Sequence, residues 1–155
     1  MDKKENVTLE LEENNSEEKE LGMGWHEFLV FWYGLTGWIG AIACVILMIL
    51  GGIALEPAGI YGGALGLGVA VLTLTTKNKL DEFSEDAIDY LKALYTVRFV
   101  MIFVDIILSL IIDPHHTVDI KDVIFDVLRV VIFYAINIPY YKKREDMFTG
   151  DEDDE

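Results

Sequence analysis

The chain has 155 residues and a net charge of −15, and 52% of its residues are hydrophobic. It is short enough to hold a single domain, and its acidity excludes nucleic-acid binding, which depends on a basic surface. The acidic residues are concentrated at the two ends of the chain. The sequence therefore predicts disordered acidic tails over residues 1–22 and 145–155, around a hydrophobic domain over residues 23–144.

Four apolar segments follow the first tail, and glycine, proline or charged residues separate them. A helix needs about 20 mostly apolar residues to cross a bilayer, and each segment meets that requirement. The predicted spans cover residues 27–50, 58–76, 91–112 and 123–141. The predicted fold class is all-α, a four-transmembrane-helix bundle whose first partner is the lipid bilayer.

The positions of lysine and arginine predict the orientation of the bundle, because short cytoplasmic segments are enriched in these residues. The segment between the second and third spans and the segment after the fourth contain Lys77, Lys79, Lys92, Lys142, Lys143 and Arg144. The 51–57 loop has no basic residue, and the 113–122 loop has only Lys121. We therefore expect a multi-pass protein of the plasma membrane with both termini in the cytoplasm.

The segment between the second and third spans has an amphipathic pattern. Acidic residues alternate with apolar residues that recur at helical spacing. The apolar residues are Leu80, Phe83, Ala87, Ile88 and Leu91. This pattern predicts either a short separate helix at the membrane surface or an extension of the third helix.

The third and fourth spans contain ionisable residues, which is unusual for transmembrane helices. Each of Arg98, Asp105, Asp126 and Arg129 would cost about 2.5–3.5 kcal/mol at the centre of a lone inserted helix. A surrounding apolar residue returns only about 0.3–0.6 kcal/mol. These two spans therefore need polar partners.

The spacing of the polar residues indicates where those partners lie. The short loop between the third and fourth spans predicts antiparallel packing. Counting outward from that loop gives three pairs at equal depth: Asp105 with Arg129, Arg98 with Asn137, and Asp126 with Ser109. The sequence thus predicts a ladder of polar contacts across one hairpin, with Asp105–Arg129 as its central ion pair.

Two explanations account for such a polar network. Charges of opposite sign at matching depth can satisfy each other and fix helix register, and we favour this structural explanation. Intramembrane ionisable residues can also mark an ion or proton pathway.

Glycines recur at helical spacing in the first two spans. Gly37 is one of a row of small residues in the first span, and Gly59, Gly62, Gly63 and Gly66 form small-xxx-small pairs in the second. Small residues let helix backbones approach closely in a bilayer. These glycines predict helix packing, either inside the chain or with a second copy.

No catalytic or metal-binding motif stands out in the sequence. The adjacent His115 and His116 lack the i, i+4 spacing that brings two imidazoles to one ion, and Cys44 is the single cysteine. Ser109 and Asp126 at one depth do not form a catalytic constellation. We therefore predict a protein that is not an enzyme and has no cofactor and no metal site.

Three segments carry a resemblance to known proteins: WHEFLVFWYGL in the first span, LKALYTVRFVMIF at the start of the third and NIPYYKKREDMF at the end of the fourth. Together they resemble a group of uncharacterised small four-pass membrane proteins of Gram-positive bacteria, over roughly residues 23–148. The resemblance implies a bacterial plasma-membrane protein with a four-helix fold. It implies no activity.

The sequence supports two functional hypotheses. The first is a non-enzymatic structural or interaction protein that associates with itself or with another membrane protein. The alternative is a small homodimeric transporter or channel with a polar pathway through spans three and four. Loss of ion flux on replacing Asp105 would distinguish the second from the first.

Overall fold

The computed structural model describes residues 3–112 and 117–148, and for residues 3–23 and 146 it describes the backbone alone. The chain forms four long helices and one short 3-10 helix: α1 (Lys3–Ala54), α2 (Pro57–Asp81), α3 (Ala87–Ile112), α4 (Ile120–Lys142) and the 3-10 helix Glu145–Met147. The described part of the chain contains no strand. The predicted all-α fold is confirmed.

Each long helix contains a stretch that is long and apolar enough to cross a membrane: Gly24–Ala54, Pro57–Asp81, Ala87–Ile112 and Ile120–Lys142. Each of these stretches encloses one predicted span. The protein is therefore an integral membrane protein with four helices of membrane-spanning length.

Local sequence explains where α2 and α4 begin. Pro57 occupies the first turn of α2, where its missing N–H leaves no intrahelical bond unmade. Asp119 precedes α4, and its carboxylate accepts a hydrogen bond of 2.8 Å from the backbone N–H of Lys121. Such a cap satisfies a donor that the first turn of a helix leaves free.

The N-terminal segment differs from the sequence prediction. Residues 1–22 are predicted to be disordered, whereas α1 begins at Lys3 and runs without a break into the first span. Glutamate, leucine and lysine favour helix, and a segment that extends an existing helix does not need a new nucleus. The side chains of residues 1–23 lie outside the described part of the chain.

The C-terminal tail also begins later than predicted. Residues 145–147 form the 3-10 helix, and the ring of Phe148 is buried against Phe83 and Tyr141. The acidic composition of residues 145–155 concealed this aromatic anchor. Residues 149–155 lie outside the described residues.

The segment between α2 and α3 does not form a separate surface helix. Helix α2 continues to Asp81 and α3 begins at Ala87, so the segment is divided between the ends of these two helices and the turn that joins them. Leu80, Ile88 and Leu91 are buried in the protein core. The amphipathic pattern therefore reflects packing of helix ends against the bundle, rather than against lipid.

The turn after α2 has a strained backbone that side-chain contacts compensate. Phe83 has φ of 50°, a left-handed conformation that disfavours residues with a side chain. The N–H of Ser84 donates to the carbonyl of Lys79 at 3.0 Å, which closes the helix end. The ring of Phe83 stacks on His26 with 4.8 Å between centroids, so the turn is fastened to α1.

Helices α1 and α2 pack closely along their length through glycine. A Cβ atom at Gly51 would lie 2.9 Å from the backbone of Gly59, and one at Gly37 would lie 2.8 Å from the side chain of Leu74. A Cβ at Gly66 would lie 2.6 Å from the sulfur of Cys44. The glycine rows of the first two spans thus lie against each other inside one chain.

Gly62 is the exception among the predicted packing glycines. A Cβ atom built there meets no atom within 4 Å, whereas one at Gly63 would lie 2.5 Å from Cγ of Met48 and 2.7 Å from the backbone oxygen of Cys44. Neighbouring helical residues point about 100° apart, so only one of the two can face α1.

We expect Gly63→Ala to destabilise the protein by about 1–3 kcal/mol, because the helix pair must move apart. Gly62→Ala is the matched control and should be neutral or stabilising, because alanine favours helix over glycine by about 1 kcal/mol. Thermal unfolding in detergent micelles measures both. Equal stability of the two variants would contradict the observed packing.

Most buried side chains lie at one end of the bundle, which we call the closed end: residues 24–37, 73–95 and 137–148. Its apolar core includes Leu29, Leu80, Leu91, Leu94 and Ile138. The outer parts of α3 and α4, residues 99–112 and 120–136, contain no buried side chain. We call them the open hairpin.

Candidate functional site

Polar side chains from three helices form a buried network at the closed end. The indole N–H of Trp25 on α1 donates to Oδ1 of Asn137 on α4 at 3.0 Å. The amide Nδ2 of Asn137 donates to the hydroxyl of Tyr95 on α3 at 2.6 Å. The hydroxyls of Tyr95 and Tyr33 share a short hydrogen bond. This network connects α4 to α1 and α3.

A second polar contact closes the same end of the bundle. Nδ1 of His26 lies 3.1 Å from the hydroxyl of Tyr141, and both side chains are buried. The two groups connect the start of the first span to the end of the fourth. Because Phe83 and Phe148 pack on the same two rings, the closed end is held by aromatic contacts as well as hydrogen bonds.

Arg98 lies next to the closed end, and its partner differs from the predicted one. Its guanidinium Nη2 donates to Oγ1 of Thr73 on α2 at 3.2 Å, whereas the sequence places Arg98 level with Asn137. Asn137 instead bonds to Tyr95, which precedes Arg98 by three residues. The predicted register of α3 against α4 is therefore displaced by about one helical turn here.

The predicted ion pair between Asp105 and Arg129 is absent from the described residues. Arg129 instead pairs with Asp126 one turn earlier in its own helix, with 3.3 Å between Nη1 and Oδ1. The Arg129 side chain is 70% exposed and that of Asp126 is 51% exposed. Asp105 is also exposed, and no salt bridge to it occurs among the described residues.

A groove between α3 and α4 is lined by Asp105 but not by Arg129. Its volume is about 240 Å³, and its lining includes Asp105, Ser109, Asp119, Asp122 and Asp126. Asp126 and Ser109 share this groove, as their equal depth predicts. Equal depth alone does not place two side chains in one groove, and Arg129 lies outside this one.

A second groove lies on the other side of Asp105, between α2 and α3. Its volume is about 290 Å³, and its lining includes Tyr61, Gly62, Asp105 and Ser109. Gly62 therefore borders open space beside Asp105 instead of a packed helix. Asp105 and Ser109 are the residues that border both grooves.

The structure thus divides the predicted polar residues into two groups. Asn137 belongs to the buried network at the closed end, and Arg98 binds a threonine beside it. Asp105, Ser109, Asp126 and Arg129 lie in the open hairpin. Within the described ranges, no group of three or more His, Cys, Asp or Glu side chains is arranged to hold a metal ion, and His115 and His116 lie outside those ranges.

Sequence reasoning missed most of the buried network. Trp25 and Tyr33 lie near the start of the first span, where aromatic residues are expected at the membrane surface. Only Asn137 had a recognisable signal, because an amide inside a span needs a hydrogen-bond partner. Tyrosine hydroxyls gave no comparable signal, since tyrosine is common near the ends of spans.

Comparisons with known proteins identify no relative of this chain. No family model matches the chain, and neither a curated protein nor a solved structure matches it. The geometry described above therefore carries the functional interpretation.

We expect Asn137→Leu to destabilise the protein by about 1–3 kcal/mol, because the half-buried indole N–H of Trp25 loses its acceptor and the buried hydroxyl of Tyr95 loses a donor. Thr36→Ala is a control, because Thr36 bonds to a carbonyl of its own helix at an exposed position and its loss should stay within about 0.5 kcal/mol. The unfolding free energy in mixed micelles measures both. An unchanged value for Asn137→Leu would mean that the network does not hold α4 in place.

Proposed function

We propose that this chain is a non-enzymatic interaction protein of the membrane, which binds another membrane protein through its open hairpin. One observation carries the proposal. Asp105, Asp126 and Arg129 lie inside spans of membrane length, yet their side chains are exposed.

The position of Arg129 makes its exposure costly. At 1.5 Å per residue, Arg129 lies about 13 Å into a helix of about 34 Å, close to the middle of a bilayer. An arginine or aspartate at that depth costs about 2.5–3.5 kcal/mol. The contact with Asp126 recovers part of this cost, and a protein surface with polar groups would recover more.

Helices α1 and α2 present a different surface to the membrane. Trp38, Ile39 and Ile46 of α1 are exposed, and residues 28–54 of α1 contain no ionisable side chain other than Cys44 and Tyr33. Lipid chains solvate such an apolar surface without a free-energy cost. This contrast within one molecule supports the open hairpin as the surface that binds a protein.

The lining of the Ser109 groove supports a role without catalysis. A serine nucleophile needs a neighbouring base, most often histidine. The groove around Ser109 contains carboxylates and apolar residues, with no histidine or lysine among its described lining residues.

The cellular setting is part of the proposal. The similarity of three segments to small membrane proteins of Gram-positive bacteria favours the plasma membrane of a bacterium. Lys79, Lys92 and Lys142 lie at the closed end of the bundle, and the enrichment of basic residues on the cytoplasmic side favours a cytoplasmic location for that end and for both termini.

Photo-crosslinking from inside the membrane tests the proposal. Phe125 in the open hairpin and Phe31 on α1 are matched sites, since they are 66% and 65% exposed. With a photoreactive benzoylphenylalanine at either position, we expect protein adducts from position 125 and lipid adducts from position 31. The adduct from position 125 should be lost when Arg129→Leu is added. Lipid adducts alone from both positions would contradict the proposal.

A second candidate function is a small transporter or channel. The acid-lined groove favours this function, because carboxylates at the mouth of a groove attract cations. Further along the bundle, polar side chains continue with Arg98, Thr73 and the buried network. For this function we expect a cation or proton flux in proteoliposomes that Asp105→Asn abolishes. Glu56→Gln, an acid between α1 and α2, is the matched control and should retain the flux. An equal flux in both variants would exclude a pathway through Asp105.

A further inference from the structure

We infer that the partner of the open hairpin is a second copy of this chain, and that Asp105 of each copy pairs with Arg129 of the partner subunit. This inference rests on the proposed function and specifies the partner. It commits the open hairpin to a symmetric dimer whose two-fold axis is normal to the membrane.

The depths of the two residues fit this symmetry. Asp105 lies seven residues before the end of α3 at Ile112, and Arg129 lies nine residues after the start of α4 at Ile120. These spacings correspond to about 10 Å and 13 Å from the same end of the bundle. A two-fold axis normal to the membrane preserves depth, so groups at similar depth in two copies can meet across it.

The bonding capacity of each group is also suitable. Among the described residues Arg129 makes one salt bridge, with Asp126 at 3.3 Å, and a guanidinium has five N–H donors in a planar fork. It can therefore bind a second carboxylate. Asp105 makes no salt bridge within the described part of the chain, so a cation from outside the subunit completes its surroundings.

The groove beside Asp105 has room for an incoming side chain. Its volume of about 240 Å³ corresponds to roughly eight water molecules at about 30 Å³ each, and an arginine side chain has seven non-hydrogen atoms. Phe125, Leu128 and Ile132 are exposed on α4 around Arg129, and they supply apolar contacts at the edge of such an interface.

Five glycines of the first two spans are already used for packing inside the chain: Gly37, Gly51, Gly59, Gly63 and Gly66 face the neighbouring helix. The open hairpin offers charge complementarity instead, because one acid and one base on each copy can satisfy each other twice.

Charge exchange between two tagged copies tests the pairing. Asp105→Arg leaves arginine at both positions, and Arg129→Asp leaves aspartate at both. We expect each variant alone to associate about 100-fold more weakly than the wild type in liposomes, because like charges then face each other. A mixture of the two variants should restore association, because each arginine then faces an aspartate. Subunit counting and energy transfer between the tags measure both effects.

Two further variants separate the alternatives. The doubly exchanged Asp105→Arg, Arg129→Asp chain should dimerise, which shows that each single variant fails by charge and not by misfolding. If the double variant dimerises but the mixture of the two single variants does not associate, residues 105 and 129 pair within one chain. That result would overturn the inference. A wild-type protein that stays monomeric even at high protein-to-lipid ratio would also overturn it. The photo-crosslinking experiment tests the proposed function independently of the dimer. The proposed function also fails if position 125 gives no protein adduct in the native membrane.

Discussion

A charged or hydrogen-bonding side chain inside a bilayer costs free energy unless another polar group lies within reach. At the closed end this condition is met inside one chain. Trp25, Asn137, Tyr95 and Tyr33 form a continuous series of hydrogen bonds across three helices. In the open hairpin the same condition is only partly met, since Arg129 binds an acid of its own helix and Asp105 binds no cation in the described residues. The proposed association follows from this difference.

The two hairpins of the bundle are held together by different forces. Helices α1 and α2 approach closely because glycine removes the side chains between them, and dispersion contacts then act along their whole length. The buried residues of helix α4, Asn137, Ile138 and Tyr141, lie near its C-terminal end. The other end of α4 is therefore free to meet a surface outside the chain.

The sequence predicts the helices well because span length and apolar composition follow directly from bilayer thickness. It predicts depth near the loop between α3 and α4, where Ser109 and Asp126 border one groove, but not at Arg98, where the register is displaced by about one helical turn. It does not predict which way a side chain faces around its helix, and the expected Asp105–Arg129 contact is absent because Arg129 lies outside the groove that Asp105 borders. It also could not choose between Gly62 and Gly63, because both belong to small-residue pairs and only the rotation of α2 decides which faces α1.

The central claim is that protein, rather than lipid, covers the open hairpin in the membrane. The accessibility of spin labels to oxygen measures lipid contact directly, in a Cys44→Ser background with a label at position 125 or at position 38. The two native side chains are similarly exposed in the single chain, at 66% for Phe125 and 64% for Trp38. We expect low oxygen accessibility at position 125 and high accessibility at position 38. High accessibility at both positions would mean that the charged face meets lipid and that no protein covers the open hairpin.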